Sequence, residues 1–199
     1  MKNYSPLYLG YVIPFVFWIT TIICGALNPH YDHAEKMVSE LGEQGTDTQY
    51  IFTFGLVLCS ILSILFIIAL YRKAKQFHLH TVPIFLLFCF SFSIAGAGLF
   101  PYPTKLHTQL GMPSVFLFMS PLSVLILWRN SFKKSRMPAF VSFLIMSAGF
   151  MIYIPHFLEY YFGLKQRFFH LGWTIWFCCL SYLFLKNLAK SDEHQIAAR

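Results

Sequence analysis

His30, Asp32 and His33 place three metal-ligand side-chain types in one short stretch, Asn28-Pro29-His30-Tyr31-Asp32-His33-Ala34-Glu35-Lys36-Met37-Val38-Ser39-Glu40-Leu41-Gly42. A zinc site takes three or four such ligands in tetrahedral array, and the same groups serve as general acids and bases. Asp32 has a competing role. Followed by Glu35, it reads as a capping box that starts a helix. Ala34, Met37, Val38 and Leu41 then recur at helical spacing, with His33, Lys36 and Glu40 on another face, which predicts a short amphipathic helix lying at a membrane surface and ending at Gly42 or Gly45. Two further stretches carry similar chemistry. His107 follows Phe100-Pro101-Tyr102-Pro103 at the start of an apolar segment. His156 and Glu159 share a face if the helix there extends to them, as do Arg167 and His170. Asp32, His33, Ser39, Glu40, His107, His156, Glu159, Arg167 and His170 therefore form the candidate ligand-binding set, with His107, His156 and His170 as the candidate metal ligands. No HExxH motif is present.

Six apolar stretches must position these residues: 7–27, 50–71, 82–100, 112–128, 139–157 and 168–185. About 20 apolar residues cross a hydrocarbon core as a helix. The chain of 199 residues is 57% hydrophobic and only 12% charged, about half the charge of a soluble domain. Its mean hydropathy is +0.58. The expected fold class is all-α, a polytopic membrane protein with six transmembrane helices in one bundle and one domain over residues 1–199. Beta-barrel strands would need short alternating segments instead. The first stretch exceeds a signal-peptide core, and no small-x-small cleavage site follows it, so it reads as a retained helix. Pro121 is expected to kink the fourth span. The run Ser91, Ser93, Ala95, Gly96, Ala97, Gly98 reads as a close-packing helix face. Cys24, Cys59, Cys89, Cys178 and Cys179 all fall within apolar spans and read as packing residues.

The hydrophilic residues are sorted by sign. Lys2, Arg72, Lys73, Lys75, Arg129, Lys133, Lys134, Arg136, Lys186, Lys190 and Arg199 lie on one side of the spans, against Lys36, Lys105, Lys165 and Arg167 on the other. The positive-inside rule then puts both termini in the cytoplasm. Asp32, Glu35, Glu40, Glu43, Asp47 and Glu159 lie outside, with His30, His33, His107, His156 and His170. The net charge of +7 is scattered beside apolar spans, where it meets lipid headgroups. The expected partners are membrane lipids and no nucleic acid. No motif assigns a cofactor, and no pair of mid-span histidines is placed to clamp a haem.

Ser39-Glu40-Leu41-Gly42 after the first span, Phe100-Pro101 followed by His107 after the third, and Gly163-x-x-Gln166-Arg167 before the sixth together resemble the prokaryotic membrane family called domain of unknown function 998. The resemblance covers nearly the whole chain. It implies a six-helix integral protein of a prokaryotic inner membrane and brings no catalytic residues with it. Ser39 and Gly42 alone carry a more distant similarity to the Frag1/DRAM/Sfk1 group, which is associated with lipid and GPI-anchor handling and autophagy.

Three functions remain open on the residues. The first is an outward-facing polar pocket that binds a lipid headgroup or small ligand. The second is a membrane-embedded, metal-assisted hydrolase or acyltransferase. The third is a small transporter, which ranks last because its midplane would need polar groups or broken helices.

Overall fold

The computed structural model describes residues 5–197, with side-chain surroundings for residues 6–188. Lys2 and Arg199 lie outside the described residues, as do the side chains of Lys190 and His194. Among the described residues every regular element is helical: α1 (Leu9–Leu27), α2 (Gln49–Gln76), α3 (Val82–Phe85), α4 (Phe88–Leu99), α5 (Lys105–Gly111), α6 (Met119–Leu127), α7 (Arg136–Ala148) and α8 (Phe162–Ala197). Six segments built from them are long and apolar enough to cross a membrane: Pro6–Leu27, Gln49–Gln76, Val82–Leu99, Lys105–Leu127, Lys133–Tyr153 and Phe162–Leu188.

Helices overrun the apolar stretches wherever polar residues still favour helix. Arg72, Lys73 and Lys75 of α2 stand at its C-terminal end, where the helix dipole favours cations. The fourth span starts at Lys105, capped by the Thr104 side chain accepting the His107 N–H at 3.3 Å. It tightens into a 3-10 stretch over Met112–Phe118 before α6. Pro121 stands in the first turn of α6, where a missing N–H costs least. The irregularity therefore lies on its N-terminal side.

Lipid drives no hydrophobic association between helices, so close packing and interhelical hydrogen bonds hold the bundle. Gly55 of α2 makes room for α1, since a Cβ there would collide with the Thr20 side chain. Pro14 cannot donate to the carbonyl of Gly10, four residues back. That carbonyl instead accepts from the thiol of Cys178 on α8 at 3.7 Å. One residue type read as simple packing thus fills a vacancy made by a proline. Ser181 donates to the Leu7 carbonyl nearby. Ser60 of α2 donates to the Ser91 carbonyl of α4 at 2.8 Å. Ser120 of α6 accepts from Trp176 of α8 at 2.9 Å and donates to the Pro83 carbonyl at 2.7 Å, joining three spans. Trp128, Trp173, Trp176, Phe66, Phe177 and Phe184 are fully buried between the helices. Phe15, Phe54 and Ile126 point away from the bundle and are exposed, as lipid-facing residues are.

Candidate functional site

The helix α8 begins with N–H groups that have no partner inside the helix. Residues of the 28–48 connection supply them. Gly163 donates to the Glu35 carbonyl at 3.0 Å and Leu164 to the Ala34 carbonyl at 2.8 Å. Position 163 must be glycine for this contact, because a Cβ would collide with the carbonyl oxygen of Lys36. One turn on, the Gln166 Oε1 accepts the Val38 N–H at 2.6 Å. Arg167 donates to the Lys36 carbonyl at 3.1 Å and to the Tyr31 hydroxyl at 2.9 Å, and lies 3.0 Å from the His33 Nδ1. The Tyr31 hydroxyl in turn donates to the Met37 carbonyl at 2.9 Å. Gly163, Gln166 and Arg167 therefore form a clasp on the segment 31–38.

The clasped segment is not the amphipathic surface helix that its periodicity predicts. It forms turns and then a short 3-10 helix, Val38–Gly42. Its apolar residues are spent inward, with Val38 and Leu41 buried. Asp32 starts no helix but closes a turn, accepting from the Ala34 N–H at 2.7 Å and the Glu35 N–H at 3.1 Å. At the start of the 3-10 helix the capping carboxylate is instead Glu40, which accepts the Met37 N–H at 2.8 Å. Leu41 gives its carbonyl to Thr48 at 2.7 Å, and Gln44 donates to the Tyr102 carbonyl at 2.9 Å, which ties this connection to the next. The two backbone hydrogen bonds hold Asp32 below the usual carboxylate range. Burial and the neighbouring Arg167 hold His33 below 6.5. Burial raises Tyr31, partly offset by Arg167.

Beneath the clasp lies a cavity of about 350 Å³. Met37, Val38 and Ser39 contribute to its wall from the clasped segment, Ser93 and Ala97 from α4, His107 and Thr108 from α5, Phe150 from the 3-10 helix Gly149–Tyr153, and Gln166, Phe169, His170 and Trp173 from α8. Most of the lining is apolar or aromatic, with no Asp, Glu, Lys or Arg. It is thus less polar than the outer pocket the sequence predicts. The Nδ1 of His107 lies 2.9 Å from the Phe100 carbonyl. A carbonyl only accepts, so Nδ1 carries the proton and Nε2 is left as an acceptor. His170 has the opposite tautomer. Its Nδ1 accepts from the Trp173 indole at 3.0 Å, so the neutral ring carries its proton on Nε2. That Nε2 and the Ser93 Oγ are both buried, and neither has a hydrogen-bond partner.

Of the candidate residues, Ser39, His107 and His170 line the cavity, and Arg167, His33, Asp32 and Glu40 shape the segment above it. His156 and Glu159 do not join them. They stand on an irregular turn rather than a shared helix face, 87% and 54% exposed, with the His156 Nδ1 3.6 Å from a Glu159 carboxylate oxygen. Among the described residues no three His, Cys, Asp or Glu side chains gather to hold a metal ion, so His107, His156 and His170 do not converge. Sequence reasoning missed Tyr31, Ser93, Gln166 as a side chain with a task, and Trp173. The spacing of His170 and Trp173 (i, i+3) was a usable signal, because a buried indole N–H must find an acceptor. Lys165 was also missed. It is 1% exposed, donates to the Phe157 carbonyl at 2.8 Å, and lies over the Phe162 ring.

Six apolar membrane-crossing helices around a walled cavity define an integral, multi-pass membrane protein in contact with lipid. Residues 11–182 match the family described as protein of unknown function DUF998, and the chain belongs to that family. No curated protein and no solved structure matches it. All three motifs that carry the family resemblance have structural tasks around the cavity: Ser39 and Glu40 in the roof, Phe100 orienting His107, and Gly163, Gln166 and Arg167 in the clasp.

Proposed function

We propose that this protein binds a membrane lipid within its bundle, in a cavity that faces the outer side of a prokaryotic inner membrane, with both termini in the cytoplasm. The observation that carries the reading is the cavity itself. At about 350 Å³ it falls in the size range of small-ligand sites, roughly 300–1,000 Å³, and shares their composition of apolar wall with few polar groups. Its occupant is sought among molecules already dissolved in the bilayer, because the wall comes from membrane-crossing helices. The sorting of basic residues supports the orientation. The apolar wall favours an acyl chain over a headgroup as the part enclosed.

A ligand that binds the folded state raises the unfolding temperature, and the rise grows with the ligand's concentration relative to its Kd. Detergent-purified protein, stripped of lipid and titrated with a total membrane lipid extract, should show a Tm that rises with lipid concentration. Replacement of Ala97 by phenylalanine fills the cavity from α4 and should abolish the rise. An equal rise in the Ala97→Phe protein would overturn the proposal.

A further inference from the structure

Two orphan polar atoms, both buried, belong to residues that line one cavity at one depth. Phe90 of α4 and Trp173 of α8 are in ring contact at 4.5 Å. Ser93 lies three residues beyond Phe90 toward the end that bears the 28–48 connection. His170 lies three residues before Trp173 toward the same end, since α8 runs the opposite way. Each is thus displaced by about 4.5 Å, one near-turn of helix, from a shared reference contact. Both line the cavity. Ser93 is 3% exposed, and neither its Oγ nor the His170 Nε2 has a partner.

Buried polar groups in native proteins are almost always hydrogen-bonded, and leaving one unpaired is destabilising. In hydrocarbon surroundings no lipid tail can relieve that cost. The two atoms also specify what they would accept. The His170 Nε2 is fixed as a donor by the Trp173 bond to its Nδ1. The Ser93 hydroxyl can donate or accept. Across the same cavity, the His107 Nε2 is an acceptor, fixed by the Phe100 carbonyl at its Nδ1. No lysine, arginine or carboxylate lines the wall. A phosphate or carboxylate would enter without a counter-charge, at a desolvation cost that a single neutral donor does not offset.

We infer that the cavity selects an uncharged acyl-chain amphiphile, of the acylglycerol type, whose ester or hydroxyl oxygen accepts a hydrogen bond from His170 and pairs with Ser93 while its chain lies against the aromatic wall. The inference rests on the lipid-binding reading above and narrows it to a chemical class. His170 and Ser93 act as binding groups for an oxygen. No bond is made or broken.

The test uses the full-length protein in nanodiscs at pH 9, with two photoreactive probes of the same chain length. One is a 1-monoacylglycerol carrying a mid-chain diazirine, and the other is the corresponding fatty acid, ionised at that pH. The monoacylglycerol should label peptides containing Ser93–Ala97 and Phe169–Trp173, and unlabelled monoolein should compete. Each of Ser93→Ala and His170→Phe should weaken that competition about fivefold to tenfold, the loss of one hydrogen bond. Ser93→Ala is the gentler change and keeps the test decisive if His170→Phe fails to fold. Equal labelling by ester and acid, or unchanged competition in Ser93→Ala, overturns this inference and leaves lipid binding standing. Absence of label from those peptides with either probe overturns both.

Discussion

Replacing Arg167 by methionine keeps the unbranched apolar stem of the side chain and removes its fork of donors. The structure allows the consequence to be sized. Two of its hydrogen bonds reach neutral acceptors, the Lys36 carbonyl at 3.1 Å and the Tyr31 hydroxyl at 2.9 Å. Bonds from a charged donor contribute about 1.5–3 kcal/mol each. The lower figure is appropriate because the guanidinium is only partly buried, and the contact to exposed His33 adds little. The clasp should therefore lose about 3 kcal/mol, which speeds local opening by about 150-fold. Hydrogen exchange in nanodiscs reads this directly at the amides of Val38, Gly163 and Leu164, which the clasp protects. Exchange in mid-span α2 should not change. A change of less than about threefold at those amides would refute the clasp. A uniform acceleration through all helices would show that Arg167 supports the whole bundle rather than the segment 31–38.

Gly163→Ala should open the same amides with no charge removed, because the new methyl group meets the Lys36 carbonyl, and hydrogen exchange again reads it. Ser120→Ala should lower stability by about 1–3 kcal/mol, measured as reduced resistance to denaturant in detergent, since it leaves the buried Trp176 N–H without its acceptor. The clasp should also depend on pH. His33 is held below 6.5 when clasped, by burial first and by Arg167 second, with Asp32 opposing. The opened segment therefore binds a proton more readily than the clasped one. Protection at the Val38 amide should be complete above about pH 6.5, decline as pH falls through the depressed His33 value, and become flat over that range in His33→Asn.

The helical, six-span architecture was legible because lipid imposes a simple rule on composition: about 20 apolar residues per crossing. The residues at helix ends were legible only as types. Ala34, Met37, Val38 and Leu41 have helical spacing, yet the segment folds as turns and a 3-10 helix because its carbonyls at 34–36 are claimed by Gly163, Leu164 and Arg167 from across the chain. Local periodicity carries no information about a partner more than 120 positions away. His156 shows the reverse failure. Its type and spacing to Glu159 suggested a site, but the chain between α7 and α8 leaves both in solvent. Ser93 was absorbed into a stripe of small residues, which is what α4 uses for packing at Gly98. Only its place beside the cavity, one turn from the Phe90–Trp173 contact, separates it from the packing serines.

Lipid occupancy of the cavity is the central claim, and native mass spectrometry of the protein released from its own membranes tests it most directly. Wild-type protein should retain one lipid molecule after detergent is stripped, and Ala97→Phe should emerge without it while keeping its helical content. Wild-type protein that emerges free of lipid, or an Ala97→Phe protein that retains the same adduct, would contradict the account.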